Sequence, residues 1–391
     1  MKIVQFGLHY SPNTGDGIIA ECLGHAVRQS APEAQYETVD FSGRDGFGAV
    51  TVRNRQAALA ILGLLPRGLR GRLVEYRLTG MLDRAEPAWE AALQGADLAI
   101  LGGGQIFSDA DLNFCTKIAR VARLTARAGV PMVIHAAGVS QNWSRRGTEL
   151  FSAVFDTQLQ QVGLRDPGSI SAWQAQSAGQ GPEPVLTRDP GLLAAACYGP
   201  NPAADAAVGL CVTDPAILRY HSDSGVAGAG QDGIGFFVAL TEALVQQDHQ
   251  VRLFCNGAAE DRQALAQVAS DARIAPLLAS GQVGTAAPPE TPTELAAVVS
   301  SCRAIIAHRM HACIIAYGYR IPTVGLGWDR KLESFFASVG EETSFVGGAA
   351  ATVPQVVACL DAALDRGIPA ERHAAVLAET RDAVTAVLSK V

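Results

Sequence analysis

The stretch "CRAIIAHRMHACIIAYGYRIPTVGLGWDRKLESFF" holds the side chains best suited to chemistry. An apolar run, "AIIA", ends at His308, Arg309, Met310 and His311, and a second, "PTVGLG", ends at Trp328, Asp329, Arg330 and Lys331. Arg309 and His311 fall where a helix pattern begins, and the free N–H groups and dipole of a helix start favour an anion. Arginine adds a two-pronged fork for phosphate or carboxylate, and histidine is the side chain readiest to move a proton near neutral pH. The chemistry implied is anion binding coupled to proton transfer. The same residues also suit blander roles: a histidine capping a helix, or Lys331 as a solvated charge. His308 and His311 do not read as a metal pair, because no third ligand lies nearby in the sequence.

Two further loops follow apolar runs. In "FGLHYSPNTGDG", Asn13, Gly15, Asp16 and Gly17 lie between a strand pattern and a helix pattern. They suit a capped helix start and a ligand site equally. In "GGGQIFSDAD", Gly102, Gly103 and Gly104 are expected to form a loop whose exposed N–H groups let a ligand approach the main chain. It matches neither a dinucleotide fingerprint nor a phosphate loop ending in G-K-[ST]. Asp109 and Asp111 add carboxylates that would serve as helix caps equally well.

Positioning these loops requires strands and helices in alternation. Strand patterns occur at "KIVQFGL", "QYETVDF", "DLAILGGG", "PMVIHAAG", "QQVGLRD", "AAVGLCVT", "QVRLFCNG", "RAIIAHR" and "IPTVGLG". Helix patterns lie between them, as in "NFCTKIARVARLTARAG", closed by Gly129, and "DGIGFFVALTEALVQQ"; "AERHAAVLAETRDAVTAVLSK" forms a terminal helix. Continuous apolar strands separated by helices predict parallel sheets covered on both faces. The fold class expected is α/β, with two Rossmann-like domains facing a cleft and a C-terminal helix. A Gly-, Pro- and Ala-rich stretch at 176–206 predicts the boundary, giving domains at 1–190 and 200–391. Ligands in such sheets sit beyond the carboxyl ends of the strands.

The 391 residues are 48% hydrophobic and 18% charged, as expected of two globular cores. A net charge of -7 argues against a nucleic-acid partner. Eight scattered cysteines without C-x-x-C spacing read as buried thiols in a reducing compartment. No leader pattern is seen, and the longest apolar run, "QAALAILGLLP", falls short of the roughly 20 residues of a membrane span. A cytoplasmic protein is expected. Residues 53–84 carry Arg53, Arg55, Arg67, Arg70, Arg72, Arg77 and Arg84 against Glu75 and Asp83. That mix suits peripheral contact with the inner face of a membrane, or an arginine-covered helical pair packed on the sheet. It also suits a diphosphate on a lipid-linked or nucleotide sugar.

"PNTGDGIIAECLGHA", "LGGGQIFSD", "VGLRDPGSI" and "AHRMHACIIAYGYRIPTVGL", with the later "DRK", resemble in order and spacing the polysaccharide pyruvyl transferase family. The resemblance implies a glycosyltransferase-B-like architecture. It also implies transfer of the enolpyruvyl unit of phosphoenolpyruvate to a sugar of a cell-surface polysaccharide or its precursor, giving a pyruvate ketal. No cofactor or metal is implied beyond phosphoenolpyruvate as donor. The family's N-x-G-D loop falls on Asn13, Gly15 and Asp16, and its Gly-rich loop on Gly102 to Gly104 with Asp109. Its R-D/E-x-x-S unit falls on Arg165, Asp166 and Ser169, its R-x-H on Arg309 and His311, and its late lysine on Lys331. His311 beside Arg309 is implied as the proton donor. Arg165, Arg309 and Lys331 are implied as cations for the donor, and Asn13 and Asp16 as groups on the acceptor side. One departure stands out: the glycine-rich turn expected after "MVIH" reads "AAGVS", which leaves His135 unassigned. Two other functions fit such a fold, a nucleotide-sugar-dependent glycosyltransferase and a non-catalytic glycan-binding relative. The first would favour an E-x-x-x-x-x-x-E pattern after the Arg-x-His unit, and the chain has no clear one.

Overall fold

A computed structural model describes residues 1–48, 67–200, 206–221, 233–327, 330–347 and 351–390. By packing the chain divides into two units, one of Met1–Tyr10, Ile19–Pro190 and Thr380–Val391, the other of Ser11–Ile18 and Gly191–Glu379. Both are parallel sheets covered by helices, the α/β class expected.

The sheet of the first unit contains β1 (Lys2–Gly7), β2 (Gln35–Asp40), β3 (Leu98–Phe107), β4 (Pro131–Val139), β5 (Gln158–Leu164) and β6 (Pro184–Leu186), in the order β2-β1-β3-β4-β5-β6. Its central strands β1, β3 and β4 are buried almost throughout. Phe6, Leu101, Ile134 and Leu164 pack with Ile118 and Val121 of the helix Asn113–Ala128 and with Trp173. That helix ends at Gly129, whose φ of 67° gives the left-handed cap expected of it.

The sheet of the second unit contains β7 (Val208–Cys211), β8 (Val251–Phe254), β9 (Val283–Thr285), β10 (Ala304–Ala307), β11 (Thr323–Leu326) and β12 (Phe345–Val346), in the order β12-β11-β10-β7-β8-β9. The chain builds outward from β7 in one direction and from β10 in the other, so the strand order reverses between them. Val208, Leu210, Leu253, Ile306 and Val324 pack against Phe237, Leu240 and Leu244 of the helix Ile234–Gln246.

All nine strand patterns became strands. β6, β9 and β12 were not anticipated, because two or three residues carry no alternation to read. "GGGQIF", expected as a loop, is the second half of β3. The terminal pattern forms the helix Ala370–Leu388. The apolar run at 56–66 with Arg53 and Arg55, and Trp328 and Asp329, lie outside the described residues. No described helix is long and apolar enough to cross a membrane.

Candidate functional site

Parallel strands of equal length end together, so the residues just beyond them form a row. In the second unit Ala307 of β10 pairs with Cys211 of β7, which pairs with Phe254 of β8. Two residues further on stand Arg309, Thr213 and Asn256. Arg309 occupies the N-cap position of the helix Met310–Gly318, and His311 is the second residue of that helix.

Arg309 is mostly buried, at 15% side-chain exposure, and its fork is held by Asp261, whose carboxylate is fully buried. Nε donates to Oδ2 at 2.9 Å and Nη2 to Oδ1 at 2.8 Å, leaving Nη1 as the nitrogen Asp261 does not engage. Burial works against the guanidinium charge, and the Asp261 carboxylate more than offsets it. Asp261 also accepts from the backbone N–H of Asp214, which ties the end of β7 to this pair.

The two histidines have different surroundings. His308 lies against Phe237 and Phe236, with ring centroids 5.6 and 6.4 Å away. Burial first, and then the Arg309 charge, push its imidazole down to about 3, so it is neutral at ordinary pH. His311 instead faces a carboxylate: its Nδ1 lies 3.9 Å from Asp16 Oδ1.

Asp16 reaches His311 because residues 11–18, expected with the 1–190 domain, pack with the second unit. Thr14 fastens this segment, its N–H and Oγ1 both donating to the Asn256 carbonyl at 3.1 and 2.9 Å. Asn13 Nδ2 approaches Asp16 Oδ1 at 3.4 Å, at the start of the helix Thr14–Ser30. Gly15 lies flat against the imidazole: a Cβ there would fall 2.6 Å from His311 Cβ and 2.7 Å from its Nδ1. The second unit thus brings Asn13, Gly15, Asp16, Arg309 and His311 together. Lys331 lies half-buried in the first turn of the helix Arg330–Val339 of the same unit.

The other expected residues belong to the first unit. Gly103 and Gly104 have φ of 83° and 77°, and the register of β3 with β4 shifts between Gly104 and Phe107. They are buried rather than displayed, and a Cβ on Gly103 would sit 2.4 Å from Ile19 Cγ2. Gly102 is equally confined, since its Cβ would meet the His135 carbonyl. Asp109 does not cap the turn that follows it; its carboxylate accepts from the Ser144 N–H at 2.5 Å. Arg165, at 6% side-chain exposure, donates to Gln105 Oε1 at 2.6 Å and lies 3.7 Å from Asp166. Asp166 caps the helix Pro167–Gln176 by accepting from both the N–H and the hydroxyl of Ser169. The R-D-x-x-S unit is therefore a helix cap carrying an arginine. In "AAGVS", Ala136 takes the left-handed conformation at φ 51° that a glycine would enter at no steric cost.

Asp261, Asn256 and Thr213 were missed by sequence reasoning. Asn256 and Thr213 lie just beyond apolar strands and Asp261 in the first turn of a helix, but none was in a glycine- or cation-rich loop, the signal used to choose among strand ends. Among the described residues no cluster of three or more His, Cys, Asp or Glu is arranged to hold a metal.

Solved structures of similar fold include trehalose-6-phosphate synthase OtsA, at TM-score 0.53 and 12% identity, with 100% of this chain and 97% of that one covered. UDP-GlcNAc 2-epimerase from Methanocaldococcus jannaschii matches at TM-score 0.51 and 8% identity, with 94% of each chain covered. At such identities the likeness is one of fold, and it places the chain in the two-domain glycosyltransferase-B-like class. No curated protein matches the chain by sequence. The sequence model of the polysaccharide pyruvyl transferases matches residues 13–330, a span that opens at Asn13 and closes just beyond β11. It takes in both the N-x-G-D segment and the Arg-x-His helix start that the fold packs together, and on that match the chain belongs to the polysaccharide pyruvyl transferase family, transferases of polysaccharide biosynthesis.

Proposed function

We propose that this chain transfers the enolpyruvyl unit of phosphoenolpyruvate to two hydroxyls of a sugar, in a cell-surface polysaccharide or its precursor, and forms a pyruvate ketal. The observation that carries this reading is His311 held 3.9 Å from Asp16, two residues beyond the Asp261-clamped Arg309. His311 donates a proton to the terminal methylene carbon of the enol, which becomes the ketal methyl group. The central carbon becomes electrophilic and a sugar hydroxyl adds to it. The C–O bond to phosphate then breaks, and a second hydroxyl closes the ketal. Of the two hydroxyl protons, one replaces that given by His311 and the other leaves with phosphate. Asp16 orients the ring, balances its charge when protonated, and is placed to take a hydroxyl proton. Arg309, fixed in direction by Asp261, stabilises the donor's negative charge at no cost of reorganisation. Asn13 and Gly15 shape the segment that carries Asp16.

Lys331 supplies further positive charge for the donor. On the first unit, Arg165 and Asp109 are assigned to substrate binding. An acceptor carried on a lipid diphosphate would bring an anionic bilayer to the basic segment 53–84, of which Arg77 and Arg84 are exposed on the helix Arg67–Leu93.

The test is release of phosphate from phosphoenolpyruvate in the presence of candidate glycans, with the ketal methyl followed by NMR. His311→Ala is expected to abolish release while melting within a few degrees of the parent; near-normal turnover would remove His311 from this role. Phosphoenolpyruvate should also raise the melting temperature, by the equivalent of about 2.7 kcal/mol at a hundredfold excess over Kd. Stabilisation by nucleotide sugars alone would favour a glycosyltransferase instead.

A further inference from the structure

The row of residues beyond β10, β7 and β8 contains two donors that the reading above does not use. Thr213 and Asn256 are 0% and 1% exposed. Thr213 Oγ1 and Asn256 Nδ2 are buried and have no hydrogen-bond partner among the described residues. Buried polar groups in folded proteins are nearly all satisfied, and one left without a partner costs roughly 1–3 kcal/mol. Two such groups side by side in adjacent strand ends are a costly pair for a fold to keep without use.

Their placement gives the use. β7 is the strand at which the order of the second sheet reverses, and open parallel sheets bind ligands beyond the carboxyl ends of their strands at that point. Thr213 follows β7 at the level of Arg309 on one side and of Asn256 on the other. Asn256 Oδ1 is engaged by the Cys211 thiol at 3.5 Å, which turns its amide nitrogen to the remaining side. Its carbonyl is occupied by Thr14. What stays available is a hydroxyl and an amide N–H2, both able to donate, beside the arginine that Asp261 clamps.

We propose that Thr213 and Asn256 form a donor pocket for an oxygen of a small anion, a phosphate or carboxylate oxygen, at the switch point of the second sheet. The pocket deepens the ketal-forming reading, on which it rests only for the identity of the anion, phosphoenolpyruvate. Neutral donors suit this position. Beside the clamped Arg309 they add directed hydrogen bonds without adding charge, so the phosphate can leave after the transfer.

Isothermal titration with inorganic phosphate, pyruvate and phosphoenolpyruvate tests the pocket in the full chain. Thr213→Val and Asn256→Leu should each weaken phosphoenolpyruvate binding roughly ten- to a hundredfold, the range for a hydrogen bond to a charged group. Whichever of phosphate and pyruvate loses affinity in parallel identifies the oxygen held. Thr213→Ser should bind like the parent. Without ligand, Thr213→Val should melt at or above the parent temperature, because it removes only a buried hydroxyl that lacks a partner, whereas Asn256→Leu also removes the acceptor of the Cys211 thiol. A purely structural role predicts the reverse, lower melting with unchanged affinity, and would overturn the proposal. If Asn256→Leu does not fold, Thr213→Val carries the test alone. Phosphate binding that depends on Thr213 and Asn256, without turnover of phosphoenolpyruvate, supports the pocket and overturns the ketal reading. Turnover with binding indifferent to both residues does the opposite.

Discussion

His308 and His311 stand three residues apart, and only their surroundings decide what each can do. His308 is enclosed by Phe236 and Phe237 beside a cation, and stays neutral. His311 is turned to the Asp16 carboxylate and backed by Gly15. The absent side chain of Gly15 is therefore part of the histidine's geometry. Gly15→Ala should displace the imidazole from Asp16 and lower kcat at least tenfold. The overpacking should cost about 1–3 kcal/mol of stability, read as a lower melting temperature. Parental kcat in this variant would show that the ring position is not critical. From the sequence, Gly15 read as one small residue in a polar turn, since its neighbour lies nearly three hundred residues away.

At the scale of elements, motif residues often serve the backbone first. Asp109 holds the Ser144 N–H, and Asp166 caps its helix through Ser169 while standing beside Arg165. The two jobs of Asp166 can be separated. Asp166→Ala should cost about 1 kcal/mol, the usual worth of an N-cap, or some 2–4 °C in melting temperature for a domain of this size. Asp166→Asn should keep the cap and lose only the negative charge beside Arg165. Equal melting temperatures for the two variants would contradict the cap. Strands long enough to show a continuous apolar run were legible in the sequence. β6, β9 and β12 were not, because their short edges are placed by the neighbour they pair with. The glycines of β3 were misread as a loop because conformational freedom and close packing select the same residue.

For the whole molecule, each unit buries a neutral histidine. Burial lowers His135 to about 4 in the first unit, and His308 falls to about 3 in the second. Once unfolded, both titrate near 6.5, so below that value the unfolded chain binds more protons and acid favours it. Their contribution is complete above about pH 6.5. It is lost as pH falls, through about 4 for His135 and about 3 for His308. For His135 this amounts to about 3 kcal/mol. Melting temperature should fall steadily from pH 6.5 to 4, and His135→Leu should flatten part of that slope; a profile flat in the parent would refute the account. By itself the sequence determined which segments are strands and helices, and that an Arg-x-His unit opens a helix after a strand. Those properties depend on neighbours within a few residues. Only the tertiary structure decided that Asp261 clamps Arg309, that Asp16 faces His311, and that Thr213 and Asn256 lie beyond adjacent strand ends. Strand order sets those meetings, and it follows from how helices cover each sheet rather than from any local pattern.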